Sequence, residues 1–129
     1  MRAIDTNVIV RFLTADDAGQ AEAARRVIEA GDIVIATTVL LETEWVLRTG
    51  YGFTAQEIGT ALEGLAGLPG VTVEDAPALA FALTGLARGM DFADALHLAK
   101  ADGCSAFLSF DIKLAKAAKG HSLVPVMMP

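Results

Sequence analysis

The chain has one cysteine, Cys104, among its 129 residues. An intramolecular disulfide is therefore excluded, and a reducing compartment fits. Cys104 follows Gly103 at the end of a helical pattern, where the helix dipole disfavours a thiolate. Its expected role is a buried structural thiol rather than a nucleophile paired with His97 or His121. Long apolar runs are missing as well. Although 53% of the residues are hydrophobic, no stretch of ~18 uncharged apolar residues occurs, so no membrane span is expected. The most apolar segment, Ala76 to Ala87, is rich in alanine and broken by Pro77 and Gly85. Asp5 and Arg11 interrupt the first apolar segment, so no secretory signal is expected and the protein is assigned to the cytoplasm.

Basic residues are also scarce: ten Lys and Arg face sixteen Asp and Glu, for a net charge of −6. That balance argues against holding nucleic acid by general positive charge. It leaves room for a protein whose acidic site is neutralised by a metal. Aromatic residues make up 6% of the chain, too few for indiscriminate stacking along a single strand. Linkers, repeats and low-complexity segments are absent, and one domain spanning 1–129 is expected.

Short apolar runs alternate with longer helical patterns, the signature of βαβ units around a mainly parallel sheet. Arg2 to Asp5 reads as a strand and Val8 to Leu13 as a short helix. Asp16 is positioned to cap a helix from Asp17 to about Ala30. Strand Ile33 to Ala36 follows, then a helix capped by Thr37 or Thr38, running to Arg48 and ended by Gly50. Thr54 and Glu57 form a capping-box pattern for a helix to about Leu65. Val71 to Val73 is a strand, and Asp75 opens an alanine-rich helix ending near Gly89. Asp91 caps the next helix, which stops at Gly103. Ala106 to Ser109, Ile112 to Lys119 and Leu123 to Val126 complete the pattern as strand, helix and strand. The expected fold is a three-layer α/β/α sandwich with a central, mainly parallel sheet of about five short strands.

Four acids stand at strand-to-helix junctions: Asp5, Glu42, Asp94 and Asp111. In an open α/β sheet those junctions gather on one edge, where ligands bind. Carboxylates brought together there repel one another unless a cation lies between them, and a hard divalent ion such as Mg²⁺ or Mn²⁺ suits their oxygens. Each acid also has an ordinary explanation. Asp5, with Thr6 and Asn7, reads equally well as a turn and helix cap. Asp94 suits the first turn of a helix capped by Asp91, and Asp111 suits the cap of its own helix. His97, one turn beyond Asp94, reads as exposed. Glu42 has Val39, Trp45 and Val46 three or four residues away, so it is expected on a largely apolar face, where an unpaired acid is costly. Glu44 is expected at the surface, paired with Arg48.

Taken together, Ile4-Asp5-Thr6-Asn7-Val8, Leu40-Leu41-Glu42-Thr43-Glu44-Trp45-Val46-Leu47-Arg48, Asp91-Phe92-Ala93-Asp94-Ala95-Leu96 and Leu108-Ser109-Phe110-Asp111 resemble the motifs of a PIN domain, specifically a VapC-type toxin ribonuclease. The resemblance implies an acidic pocket binding Mg²⁺ or Mn²⁺. Asp5, Glu42, Asp94 and Asp111 would be its acids, with Thr6, Asn7 and Ser109 as supporting polar groups. Ser109 stands where the family often has threonine, and the hydroxyl is kept. The implied reaction is endoribonucleolytic cleavage by a metal-activated water, leaving 5′-phosphate and 3′-hydroxyl ends.

Arg11, Lys113 and Lys116 are candidates for contacting flanking phosphates, although a solvated helix face explains them about as well; Lys119 reads more as solvated face. A particular folded RNA loop, such as one in a tRNA, fits this acidic chain better than an arbitrary single strand. The resemblance further implies a cognate antitoxin covering the pocket and a homodimer, with Trp45, Leu47, Tyr51 and Phe53 as interface candidates. Two other functions compete. One is a non-catalytic PIN-like protein-binding module. The other is an aspartyl-phosphate phosphatase, which resembles Asp-x-Asp-x-Thr at the first strand; Asn7 and Val8 deprive that reading of its general acid.

Overall fold

A computed structural model describes all residues, Met1–Pro129. The chain is α/β, with seven helices and five strands paired only in parallel. It forms two compact units, Met1–Ala76 and Pro77–Pro129.

The first unit runs β1 (Arg2–Ala3), α1 (Thr6–Thr14), α2 (Ala18–Glu29), β2 (Ile33–Ile35), α3 (Thr37–Gly50), α4 (Ala55–Ala66) and β3 (Val71–Val73). Its sheet has the order β1-β2-β3, with Arg2 opposite Ile33 and Ile33 opposite Val71. Central strands of parallel sheets are covered on both faces. Ile33 and Ile35 accordingly have no exposed surface, and Ile9, Leu47, Ile58 and Leu62 are equally enclosed. The turns entering β2 and β3 meet closely: a Cβ on Gly70 would stand 2.7 Å from the Gly31 Cα. Gly70 also has φ +76°, a left-handed backbone that L side chains rarely adopt.

The second unit contains α5 (Ala76–Ala87, whose first residue belongs to the other unit), α6 (Phe92–Lys100), β4 (Phe107–Leu108), α7 (Ile112–Ala118) and β5 (Val126–Met127). Strands β4 and β5 pair with Phe107 opposite Val126 and Leu108 opposite Met127. Small residues let α5 approach α6, since a Cβ on Gly85 would lie 2.9 Å from the Ala95 Cβ. Phe81 stacks on His121 with ring centroids 4.1 Å apart.

Several sequence expectations change. Hydrogen bonding divides the five strands into groups of three and two. Asp17, not Asp16, caps α2, accepting from the Gln20 N–H. Asp16 is instead engaged by Arg11 and Tyr51. Neither Thr37 nor Thr38 caps α3; its N-cap is Ala36, and the Thr37 N–H donates to Glu74 Oε1 at 2.9 Å, 37 residues along the chain. Cys104 is exposed rather than buried. The Thr54–Glu57 capping box forms as expected.

Candidate active site

Asp5 ends the turn after β1 in extended backbone and caps α1, its Oδ1 accepting from the Thr6 N–H at 2.8 Å. Cap residues satisfy N–H groups that the helix leaves unpaired. Thr6 is buried, and its hydroxyl donates to Glu42 Oε1 at 2.5 Å across 36 residues. Charge-assisted hydroxyl–carboxylate bonds are short in general. A single threonine thus joins the Asp5 turn to the second turn of α3. Asn7 is exposed and lines a different feature, a mainly apolar groove of about 340 Å³ with Val8, Arg11, Gln20 and Val27.

Helix α3 reverses the expected burial of its two glutamates, although the expected Glu44–Arg48 pair forms. Glu42 is exposed, whereas Glu44 is 2% exposed and accepts from Arg48 Nε at 2.9 Å. The buried residues of α3 are Leu40, Thr43, Glu44 and Leu47, spaced three and four apart on one face. Glu44 lies inside that stripe and Glu42 outside it, beside Trp45, which is 58% exposed. Leu40 and Leu47 carried the signal; reading Val39, Trp45 and Val46 as the inner face misassigned it. The burial of Leu47 also removes it from the interface candidates.

Arg11 has a structural occupation. It donates to Gln20, Asp16 and Tyr51, binding α1 to α2 and to the residue after α3. The Tyr51 hydroxyl in turn donates to Asp16 Oδ2 at 2.6 Å. Tyr51 first, then Thr14 and Arg11, hold the Asp16 carboxyl below its ordinary pKa against partial desolvation.

In the second unit, Asp91 caps α6, its Oδ1 accepting from the Asp94 N–H at 3.0 Å. Asp111 caps α7 through the Leu114 N–H at 3.1 Å, while its own N–H donates to Ser109 Oγ at 3.0 Å. Those two bonds fix the junction after β4. Asp91, Asp94 and Asp111 then line one cavity of about 400 Å³, together with Lys113, Met90 and Leu114. Asp91, read from sequence as a cap alone, is therefore also part of this lining. Lys116 and His97 are exposed.

The electrostatics of this cavity bear on cation binding. Burial, then repulsion from Asp91 and Asp111, pushes the Asp94 carboxyl above its ordinary pKa, with His97 partly offsetting it. A cation would relieve that repulsion, and carboxylate oxygens are the donors Mg²⁺ and Mn²⁺ prefer. Within neither unit do three or more His, Cys, Asp or Glu side chains draw together as a metal-holding group. The donor chemistry of these carboxylates fits a divalent ion.

The PIN domain matches residues 3–120. No curated protein matches the chain. PIN domains are generally nuclease domains, and PIN nucleases usually use divalent metals. With the match running over all four junction acids and nearly the whole chain, the protein belongs to the PIN-domain family.

Proposed function

We propose that this protein is a metal-dependent endoribonuclease, the toxin of a VapBC-like toxin–antitoxin pair, acting as a single PIN domain over residues 1–129. The observation that carries the reading is the Asp94 cavity. A half-buried carboxylate with a raised pKa faces two other carboxylates, with a lysine in the same wall. Repulsion of that kind is costly to maintain and is commonest where function requires it.

Asp5, Glu42, Asp94 and Asp111 would hold Mg²⁺ or Mn²⁺. Such an ion, when bound, neutralises phosphate charge and acidifies a water for attack on phosphorus. The protein's own groups do the positioning. The Thr6 hydroxyl orients Glu42, Ser109 holds the backbone that aims Asp111, and Asp91 anchors the turn that carries Asp94. Lys113, in the cavity wall, is suited to a phosphate oxygen, and Lys116 to a flanking phosphate. Arg11, committed to Asp16, Gln20 and Tyr51, has less to offer RNA. The substrate is a structured RNA such as a tRNA. A cognate antitoxin covers the acids, and the protein forms a homodimer in which exposed Trp45 is a contact residue. No helix is long and apolar enough to cross a membrane.

The test is cleavage of a total-RNA or tRNA pool by the native chain with Mg²⁺ or Mn²⁺, beside Asp94→Asn and an EDTA control. Discrete fragments requiring both the metal and Asp94 are expected. If no fragments form and divalent ions leave the melting temperature unchanged, the non-catalytic binding module replaces this reading.

A further inference from the structure

The aromatic residue immediately before Asp111 is exposed to an unusual degree. Phe110 is 77% exposed at the bend between β4 and α7, although burying a phenyl ring is ordinarily favourable. Charged side chains follow it in the chain, among them lysines, whereas none stands beside it on the other side. After it come Asp111, then Ile112, 60% exposed, then Lys113 in the cavity wall and exposed Lys116, three residues apart on α7 and so neighbours on its surface; Lys119 lies just past the helix in extended backbone. Before it comes Leu108, 62% exposed, opposite Met127, 52% exposed.

We propose that Phe110 is a stacking platform for a nucleobase next to the scissile phosphate, with the α7 lysines tracking the adjoining phosphates. The proposal rests on the nuclease reading and adds a substrate-contacting residue to it. A nucleotide presents a flat π-face and an anionic phosphate side by side, and Phe110 followed by a row of lysines matches both. A purely apolar protein surface would match only the ring. Consecutive Cα atoms are ~3.8 Å apart, so a base on Phe110 belongs to a nucleotide bordering the one at Asp111. Every base has a π-face, so such a platform holds the strand without dictating the base. Structure in the substrate then acts by presenting an unstacked base at this point.

The test uses two labelled ten-nucleotide RNA strands, one of mixed sequence and one abasic throughout, each titrated with the chain in EDTA at low salt. The native chain should bind the base-bearing strand more tightly. Phe110→Ala should weaken that strand by about 5- to 150-fold, leave the abasic strand unchanged, and be rescued by Phe110→Trp. Equal affinity of the native chain for both strands, or no binding of either, overturns the platform. So does a Phe110→Ala variant that binds RNA normally but changes the sedimentation mass, which would assign the ring to a protein contact. Cleavage of the RNA pool with Mn²⁺ is scored separately. Cleavage without strand discrimination sinks the platform and keeps the nuclease; discrimination without cleavage does the reverse. Because the ring is exposed, thermal melting of Phe110→Ala should match that of the native chain.

Discussion

The two units hold their acids in opposite ways. In the first, Glu42 is held by a hydroxyl: Thr6 reaches it from the turn of Asp5 and fixes one of its oxygens. In the second, Asp94 is confined with its own kind, and burial and like charges disfavour its ionisation. One arrangement gives a carboxylate a fixed geometry; the other gives it an unmet demand for positive charge. Fixed geometry and a demand for charge are thus carried by different residues.

The largest expected effect is on the charge-demanding side. Asp94→Asn should lower RNA cleavage on the order of 100-fold or more, with native circular dichroism. Full activity in that variant would end the mechanism. Next comes the hydroxyl clamp. Thr6→Val keeps the buried shape but frees Glu42, so cleavage should fall about tenfold to a hundredfold. Its stability should fall by only about 1 kcal/mol in urea unfolding, because the Glu42 end is exposed. Thr6→Ser should retain most activity. If Thr6→Val and Thr6→Ser behave alike, the clamp has no role.

A smaller effect separates the two sides by pH. The folded-state pKa of Asp94 is raised, so its ionisation costs nothing at acid pH, where both folded and unfolded states are protonated. Stability is lost as pH rises from the ordinary carboxyl range through the raised folded value. Without metal, Asp94→Asn should therefore melt above the native chain at pH 7, and the gap should close near pH 3. Mg²⁺ should raise the melting temperature of the native chain more than that of the variant. The smallest effect concerns Tyr51→Phe, which removes a bond to Asp16. The Asp16 pKa, depressed in the folded chain, should rise toward its ordinary value when followed by NMR. Its stabilising contribution, present above the unfolded pKa and lost as pH falls through the folded one, should shrink.

Much of this was legible in the sequence because capping is local. Asp5, Asp91 and Asp111 cap the helices they were read to cap, since each needs only an N–H one to three residues onward. The same locality set Thr54 against Glu57. Facing was harder. On α3, an acid that enters the buried stripe with an arginine four residues on resembles a surface pair in sequence, so the pairing of Glu44 with Arg48 is legible but its burial is not. Asp16 and Asp17 are hard to tell apart for a related reason: adjacent aspartates are equivalent caps until Arg11 and Tyr51 claim one of them. The exposure of Phe110 left no trace in the hydrophobic pattern, because pattern reports what a residue is and not whether a neighbour covers it.

The contact between Glu74 and the first turn of α3 has a bearing on how the chain folds. A helix normally carries its own cap beside it, so its start can form before distant segments arrive. Here the N–H of Thr37 is met by a carboxylate just beyond β3, 37 residues later. That bond needs β3 in place beside β2, a loop closure with an entropy cost. The helix carrying Glu42 is thereby tied to late, nonlocal assembly. The acid's position becomes fixed when the sheet of its unit closes, rather than when its own helix first coils.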